Sequence, residues 1–186
     1  MKRLFDISVG WLFFILLVIP ILLVAVSIKV TSKGSVLYWS ERVGRENVNF
    51  MMPKFRTMLV NTPQVATHLM IDPDEYLSPI GGFLRRSSLD EIPQLFSILR
   101  GDMSFVGPRP ALFNQDDLVA LRTEQGVEKL MPGLTGWAQV NGRDELPIKE
   151  KVNLDIEYME RQSFWFDMYI LWLTILKVVK REGVSH

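Results

Sequence analysis

The longest apolar run in the chain is WLFFILLVIPILLVAV, Trp11 to Val26, which carries no charged or polar side chain. As a straight helix it extends about 24 Å, at roughly 1.5 Å per residue. A hydrocarbon core of about 30 Å asks for about 20 apolar residues, so the run is slightly short, although Val9, Gly10 and Ile28 lengthen it. Pro20 lies in its middle, lacking an N–H and with a ring that clashes with the Leu16 carbonyl, and a bend or break is expected there. Lys2 and Arg3 precede the run and Lys29 and Lys33 follow it. Basic flanks prefer the cytoplasmic side, so both ends ask for the same side. A re-entrant helix that enters, turns at Pro20 and returns satisfies both flanks. An ordinary kinked span is the alternative, and a signal peptide cleaved near Ala25 and Ser27 is a second, disfavoured by the lack of Cys and by the basic residues beyond.

Past this segment the pattern shortens. Val36 to Trp39 and Phe50 to Arg56 are β-branched, aromatic and partly alternating, with GREN at Gly44 to Asn47 between them, which predicts a small hairpin. Asn61 to Pro79 is polar and proline-rich, a surface stretch with a short helix. Leu89, Ile92, Leu95, Phe96 and Leu99 form a helical stripe closed by Arg100-Gly101-Asp102, a helix terminus and not an adhesion motif. Leu112 to Leu130 predicts an amphipathic helix, and Gly136 to Arg143, GWAQVNGR, a short strand and turn. Ser163 to Gly183 is largely apolar, with Trp165, Tyr169 and Trp172 of the kinds favoured at a membrane interface and Lys177, Lys180 and Arg181 suited to an anionic leaflet. It reads as a helix along the membrane surface or packed on the N-terminal element, with a plain core helix as the alternative. The expected fold is α+β, mainly α: an anchor over residues 1–33, helix-break-helix at Pro20, and one compact cytoplasmic catalytic domain over 34–186 with amphipathic interfacial helices. A chain of 186 residues builds one sizeable core.

Composition narrows the chemistry. Lys plus Arg number 21 and Asp plus Glu number 21, so the broad basic footprint of a nucleic-acid binder is missing and no nucleic-acid partner is expected. There is no Cys and there are only two His, His68 and His186. Thiolate nucleophiles, Cys-ligated zinc and disulfides are excluded, and histidine-based triads are disfavoured. The remaining nucleophiles and metal ligands are carboxylates, hydroxyls and Lys.

Attention therefore falls on SSLDEIPQLFSILRGDMSFVGPRP, Ser87 to Pro110, and on the adjacent acids Asp90 and Glu91. Ser88 followed three residues later by Glu91 is a capping box, and acids in a first helical turn complement the dipole. Pro93 disturbs this reading in either register. With Ser88 as N-cap it removes a helical bond to the Leu89 carbonyl, and with Asp90 as N-cap it removes one of the two usual capping donors. Capping through Ser88 is retained as a secondary role. Arg85, Arg86 and Arg109 flank the acids, and Lys54 and Arg56 lie in PKFRTM. Clustered cations hold carboxylate pKa values down and grip phosphate, whereas each alone would be a surface or salt-bridge residue. An ionised Asp with a divalent ion is equipped for phosphoryl chemistry.

FRTM, RRSSLDEIPQLFSILRGDMSFVGPRP, PGLTGWAQVNGR and the proline-interrupted apolar N-terminus resemble the bacterial monotopic phosphoglycosyl transferases, the small polyprenol-phosphate sugar-1-phosphate transferases. The resemblance implies an enzyme of the cytoplasmic face of the bacterial inner membrane that moves a sugar 1-phosphate from a UDP-sugar to undecaprenyl phosphate and releases UMP. It places the nucleophile on Asp90, with a ping-pong course through a covalent phospho-sugar. Glu91 falls on the second acid, binding Mg²⁺ with Asp90 or managing the acceptor's proton. Lys54, Arg85 and Arg109 fall on phosphate-contacting or basic active-site positions, and Arg143 on the nucleotide-sugar side. Membrane lipids, a homodimer and downstream glycosyltransferases are the implied partners. One departure is Ile19, where the family often has Ser before the proline. A Mg²⁺-dependent nucleotide-sugar pyrophosphatase and a non-catalytic scaffold of a polysaccharide assembly complex stay open as alternatives.

Overall fold

Helix α1 runs from Lys2–Thr31 and leads into an antiparallel hairpin, β1 (Leu37–Val43) and β2 (Asn49–Phe55), joined by a 3-10 turn at Arg45–Asn47. Its register pairs Tyr38 with Lys54 and Ser40 with Met52. After a 3-10 turn at Pro73–Tyr76 come α2 (Gly81–Arg86), a 3-10 segment at Leu89–Gln94 and, without a gap, α3 (Leu95–Arg100). Then follow β3 (Ser104–Val106), α4 (Asp116–Glu124), a 3-10 turn at Val127–Lys129, β4 (Gly133–Thr135), α5 (Trp137–Asn141), α6 (Ile148–Arg161) and α7 (Phe164–Lys180). Strands β3 and β4 pair in parallel. The result is a mainly α member of the α+β class. This is a computed structural model that describes residues 1–62, 72–142 and 146–180.

The main core gathers Phe50 and Met52 of β2, Leu95 and Ile98 of α3, Phe105 and Val106 of β3, Tyr158 of α6 and Ile170 of α7. A second cluster joins Val24 and Ile28 of α1 to Phe55 and Leu84. Helix α1 lies along both. Phe5, Val9 and Leu17 meet the first cluster and Ile21, Val24 and Ile28 the second, spacings of three, four and eight that keep one helix face inward. Its start is pinned by charge: the Lys2 Nζ donates to the Val106 carbonyl (2.9 Å), the Tyr158 hydroxyl (2.9 Å) and Asp167 (2.6 Å), while Arg3 donates to the Ile98 and Leu99 carbonyls that end α3. Asp6, buried in the same helix, accepts from the Ser104 hydroxyl and the Phe105 N–H. The opposite face is apolar and open, with Trp11, Ile15, Leu16, Ile19, Leu22, Leu23 and Val26 exposed.

Several expectations change. Helical backbone continues through Pro20, so the proline does not divide the segment into two helices. The proline removes the bond from residue 20 to the Leu16 carbonyl and crowds that carbonyl, while packing of Leu17 and Ile21 against the domain holds both sides of the gap. Within GWAQVNGR, Trp137–Asn141 forms α5 in place of a strand; the strand is the preceding Gly133–Thr135. Burial of Ala138 and Val140, together with Trp137 packed on Phe166 at 5.1 Å, overrides the strand-like sequence. The helix expected over 112–130 is confined to α4, and Gly126, at φ 77°, separates it from the following 3-10 turn. Within the expected polar stretch, the described part holds the 3-10 turn Pro73–Tyr76, capped by Asp72 accepting from the Asp74 N–H.

Helix α7 packs on the N-terminal element and on the core. Its Phe166, Asp167 and Ile170 side is buried, and Phe164 meets Phe5 of α1 edge to face at 5.7 Å. Trp165, Tyr169, Trp172 and Ile175 remain exposed on the other side. Two helices therefore present apolar and aromatic faces outward, larger than the scattered apolar residues of an ordinary soluble surface.

The connection between β3 and β4 depends on close backbone approach. A Cβ on Gly136 would lie 2.1 Å from the Gly107 carbonyl oxygen, and one on Gly107 would lie 2.2 Å from that of Met131. Backbone cannot yield as a side chain does, so Gly136→Ala is expected to lower stability by about 1–3 kcal/mol, measured as a drop in the thermal unfolding midpoint of the detergent-solubilised protein.

Candidate active site

Asp90 and Glu91 sit in the 3-10 segment Leu89–Gln94. The chain reaches it through Ser88, a non-glycine residue in the left-handed region at φ 55°. Ser88 makes no side-chain cap bond; its carbonyl accepts from the Glu91 N–H at 3.2 Å and its own N–H donates to the Arg85 carbonyl at 3.0 Å. The capping role expected of Ser88 is therefore not present. Its capping-box partner Glu91 is engaged elsewhere, by Lys54 and Arg109. Pro93 is accommodated because the first turn is 3-10, with α-helix beginning only at Leu95.

Glu91 is the meeting point of two cations. Lys54, near the end of β2, places its Nζ 2.7 Å from Glu91 Oε1, and Arg109 places its Nη2 3.1 Å from the same oxygen. Burial pushes the Glu91 carboxyl up, but Lys54 and Arg109 outweigh it by charge and hydrogen bonding and hold it well below the usual range. Asp90 belongs to neither ion pair and is 9% exposed. Burial raises its pKa, Glu91 adds to the rise, and Lys54, Arg85 and Arg109 oppose it, leaving it at about 6. The two neighbours thus separate, one a fixed anion and the other an acid that titrates just below neutrality.

Arg85, at the end of α2, does not pair with either acid among the described residues. Its Nε donates to Thr57 Oγ1 (3.1 Å) and its Nη2 to Met58 Sδ (3.1 Å). Burial pushes its pKa down and Asp90 and Asp74 push it up. It acts on Asp90 as a charge held by Thr57 and Met58, just past the end of β2. Thr57 and Met58 were in view only as part of FRTM. The segment that carries Arg109 is strapped by its carbonyls: Gly133 N–H donates to Pro108 (2.9 Å), Arg42 to Pro110 (3.3 Å) and Val43 N–H to Ala111 (2.9 Å). Arg42 escaped the sequence reading, although its place in β1, in step with inward Ser40, was a usable signal. Arg143 lies outside the described residues, and Pro20 belongs to the anchor.

Among the described residues no cluster of three acidic or histidine ligands exists. A magnesium ion uses one or two carboxylates and takes its other ligands from water and substrate phosphates, so the donor set fits such an ion held by Asp90 together with a diphosphate. Glu91 has one oxygen already committed to Lys54 and Arg109.

A carboxyl raised by burial costs stability once ionised. Taking 3.8 as its ordinary value and about 6 in the fold, the native state binds the proton more tightly, so stability from Asp90 is complete below about pH 4 and is lost as pH rises through 6. Asp90→Asn is therefore expected to raise stability at pH 8 by about 3 kcal/mol and to leave it unchanged near pH 4, read from unfolding midpoints at both values.

The family model described as bacterial sugar transferase matches residues 1–181. An uncharacterized sugar transferase, EpsL, of Bacillus subtilis (strain 168) is 37% identical over 190 residues, covering 100% of this chain and 91% of that protein. The undecaprenyl-phosphate glucose phosphotransferase of Komagataeibacter xylinus is 39% identical over 100% of this chain, and the UDP-glucose:undecaprenyl-phosphate glucose-1-phosphate transferase of Escherichia coli (strain K12) is 37% identical over 95% of it. The chain spans only 36% and 40% of the lengths of these two relatives. With the match running from the apolar helix through the paired acids to α7, this chain belongs to the bacterial sugar transferase family.

Proposed function

We propose that the protein is a phosphoglycosyl transferase that moves a sugar 1-phosphate from a UDP-sugar to undecaprenyl phosphate and releases UMP, the first membrane step in building a glycoconjugate. The observation that carries this reading is the division of labour between the adjacent acids: Glu91 is locked by Lys54 and Arg109, while buried Asp90 pairs with neither and stands among three cations.

In the first half-reaction an Asp90 carboxylate oxygen attacks the phosphorus next to the sugar. The bond from that phosphorus to the bridging oxygen breaks, and UMP leaves with the electron pair. The sugar phosphate is then held as an acyl phosphate on Asp90. In the second half-reaction a phosphate oxygen of undecaprenyl phosphate attacks the same phosphorus, the bond to Asp90 breaks, and the carboxylate is restored. Lys54, Arg109 and Arg85 offset the charge of the donor diphosphate, and their fixed positions supply stabilisation without reorganisation. Glu91, with its pKa held low, is a poor base. Its function is to hold Lys54 and Arg109 in place rather than to manage the acceptor's proton. Mg²⁺, held by Asp90 and the donor phosphates, would neutralise the diphosphate and the departing UMP.

The open face of α1 and the aromatic face of α7 support a monotopic placement on the cytoplasmic face of the inner membrane. Both ends of α1 are tied to one domain, through Lys2 and Arg3 at its start and Ile28 near its end, which favours insertion from one side. Such a placement sets a site for a water-soluble donor beside a lipid acceptor. A homodimer and contacts with downstream glycosyltransferases belong to the same reading.

With a panel of UDP-sugars and Mg²⁺, the enzyme alone is expected to release UMP only in a burst of about one equivalent per active site, and to sustain release only when undecaprenyl phosphate is supplied. Asp90→Asn is expected to lower turnover about a thousandfold or more, as loss of a nucleophile does. Sustained UMP release without lipid would indicate a pyrophosphatase, and full activity of Asp90→Asn a different nucleophile. Because Asp90 must be ionised to attack, kcat/KM is expected to fall about tenfold per pH unit below about 6, the value its burial sets. A pH profile at subsaturating UDP-sugar measures this.

A further inference from the structure

Three of four successive carbonyls, Pro108 to Ala111, are held by Gly133, Arg42 and Val43. The remaining one belongs to Arg109 itself, and it accepts from Arg122 Nη1 at 2.8 Å. The other edge of the same guanidinium is spent on Asp155 of α6, whose Oδ2 accepts from Arg122 Nε (2.9 Å) and Nη2 (2.7 Å). Side-chain exposure is 12% for Arg122 and 2% for Asp155. Neither ion pair of Glu91 includes these residues.

A buried ion pair joining α4 to α6 is weak evidence for stability by itself, because apolar residues of similar volume often serve as well. Apolar residues cannot supply the third donor. The planar fork of Arg donates in two directions at once, toward a carboxylate and toward a backbone carbonyl, and a buried carbonyl left without a donor is costly. The chemistry of the pair is thus aimed at the one residue of the loop whose side chain reaches Glu91.

We propose that Arg122 and Asp155 form a positioning pair that holds the Arg109 backbone so that its guanidinium meets Glu91. Asp155 orients the Arg122 fork from below, Arg122 fixes the Arg109 carbonyl, and the Arg109 side chain projects from a loop with every carbonyl from Pro108 to Ala111 anchored. The kinetic consequence rests on the transferase reading above, whereas the placement of Arg109 does not. The two are tested separately.

The test uses the full chain in detergent micelles with Arg122→Met, Arg122→Lys, Asp155→Asn, Arg109→Met and the double variant Arg122→Met/Arg109→Met. UMP release and unfolding midpoints are followed for each, with the Arg109 side-chain Nε–H resonance followed in every variant that retains Arg109. Arg122→Met and Arg122→Lys are expected to lower kcat/KM by about tenfold to a hundredfold, the scale of a hydrogen bond to a charged group. The Arg109 resonance should move toward that of a solvated guanidinium, the position expected for a Glu91→Gln reference in which the ion pair is removed. With Arg109 already replaced, the Arg122 change should add less than about threefold, since residues acting through one another are non-additive. Losses that multiply in the double variant, or an Arg109 resonance unmoved in folded Arg122→Lys and Asp155→Asn, would overturn the proposal. If Arg109→Met turns over at the full rate, the transferase role of Arg109 fails, and the resonance alone decides the positioning. Should Arg122→Met not fold, Arg122→Lys and Asp155→Asn carry both readouts.

Discussion

The contact on which the site depends is the convergence of Lys54 and Arg109 on a single oxygen of Glu91. It joins three pieces of chain that are remote in sequence: the end of the hairpin, the segment after β3 and the 3-10 turn between α2 and α3. One carboxylate flanked by two cations leaves a net positive charge in a partly buried place, a suitable environment for a diphosphate. That excess also limits how far burial can raise the Asp90 pKa. Without the Glu91 contact, two cations at close range would repel, and Asp90 would gain the partners that now hold its neighbour.

A second constraint concerns the anchor. Its apolar face alone is compatible with a helix crossing a bilayer by length and composition, but its polar residues tell against independence from the domain. Arg3 satisfies carbonyls that α3 leaves open at its end, the orphan groups that every helix terminus carries. Lys2 fills the space between β3, α6 and α7. Lys2 and Arg3, two of the basic residues that bias orientation, are thus also structural parts of the domain, and α3, which Arg3 caps, continues directly from the turn that bears the acids.

What could be read in advance followed from local rules. The hairpin with its Arg45–Asn47 turn, the end of α3 at Gly101, and the apolar helices at either end all have short-range signals. The gathering of Lys54, Glu91 and Arg109 was legible as an expectation because PKFRTM, LDEIPQ and GPRP are separately charged and jointly specific. Other features depended on tertiary contacts. Helix α5 formed because Trp137 found Phe166 and Glu157, partners about twenty and more residues away. Asp6, Asp155 and Asp167 gave no hint of burial, since a charged residue in a helix is exposed unless something distant pairs with it. Pro20 gave a strong local signal, but helical conformation persisted because the domain supports the residues on both sides.

The 3-10 geometry under the two acids carries a consequence of its own. With three residues per turn, consecutive side chains leave the axis about 120° apart. An α-helix would separate them by about 100° and bring residue 94 nearly above residue 90. Here the direction taken by Glu91 toward Lys54 and Arg109 commits Asp90 to a different outlook from the same turn. The pair therefore has a handedness: the second acid faces the Lys54 and Arg109 scaffold and the first does not, and their order in the chain carries information that their combined charge does not.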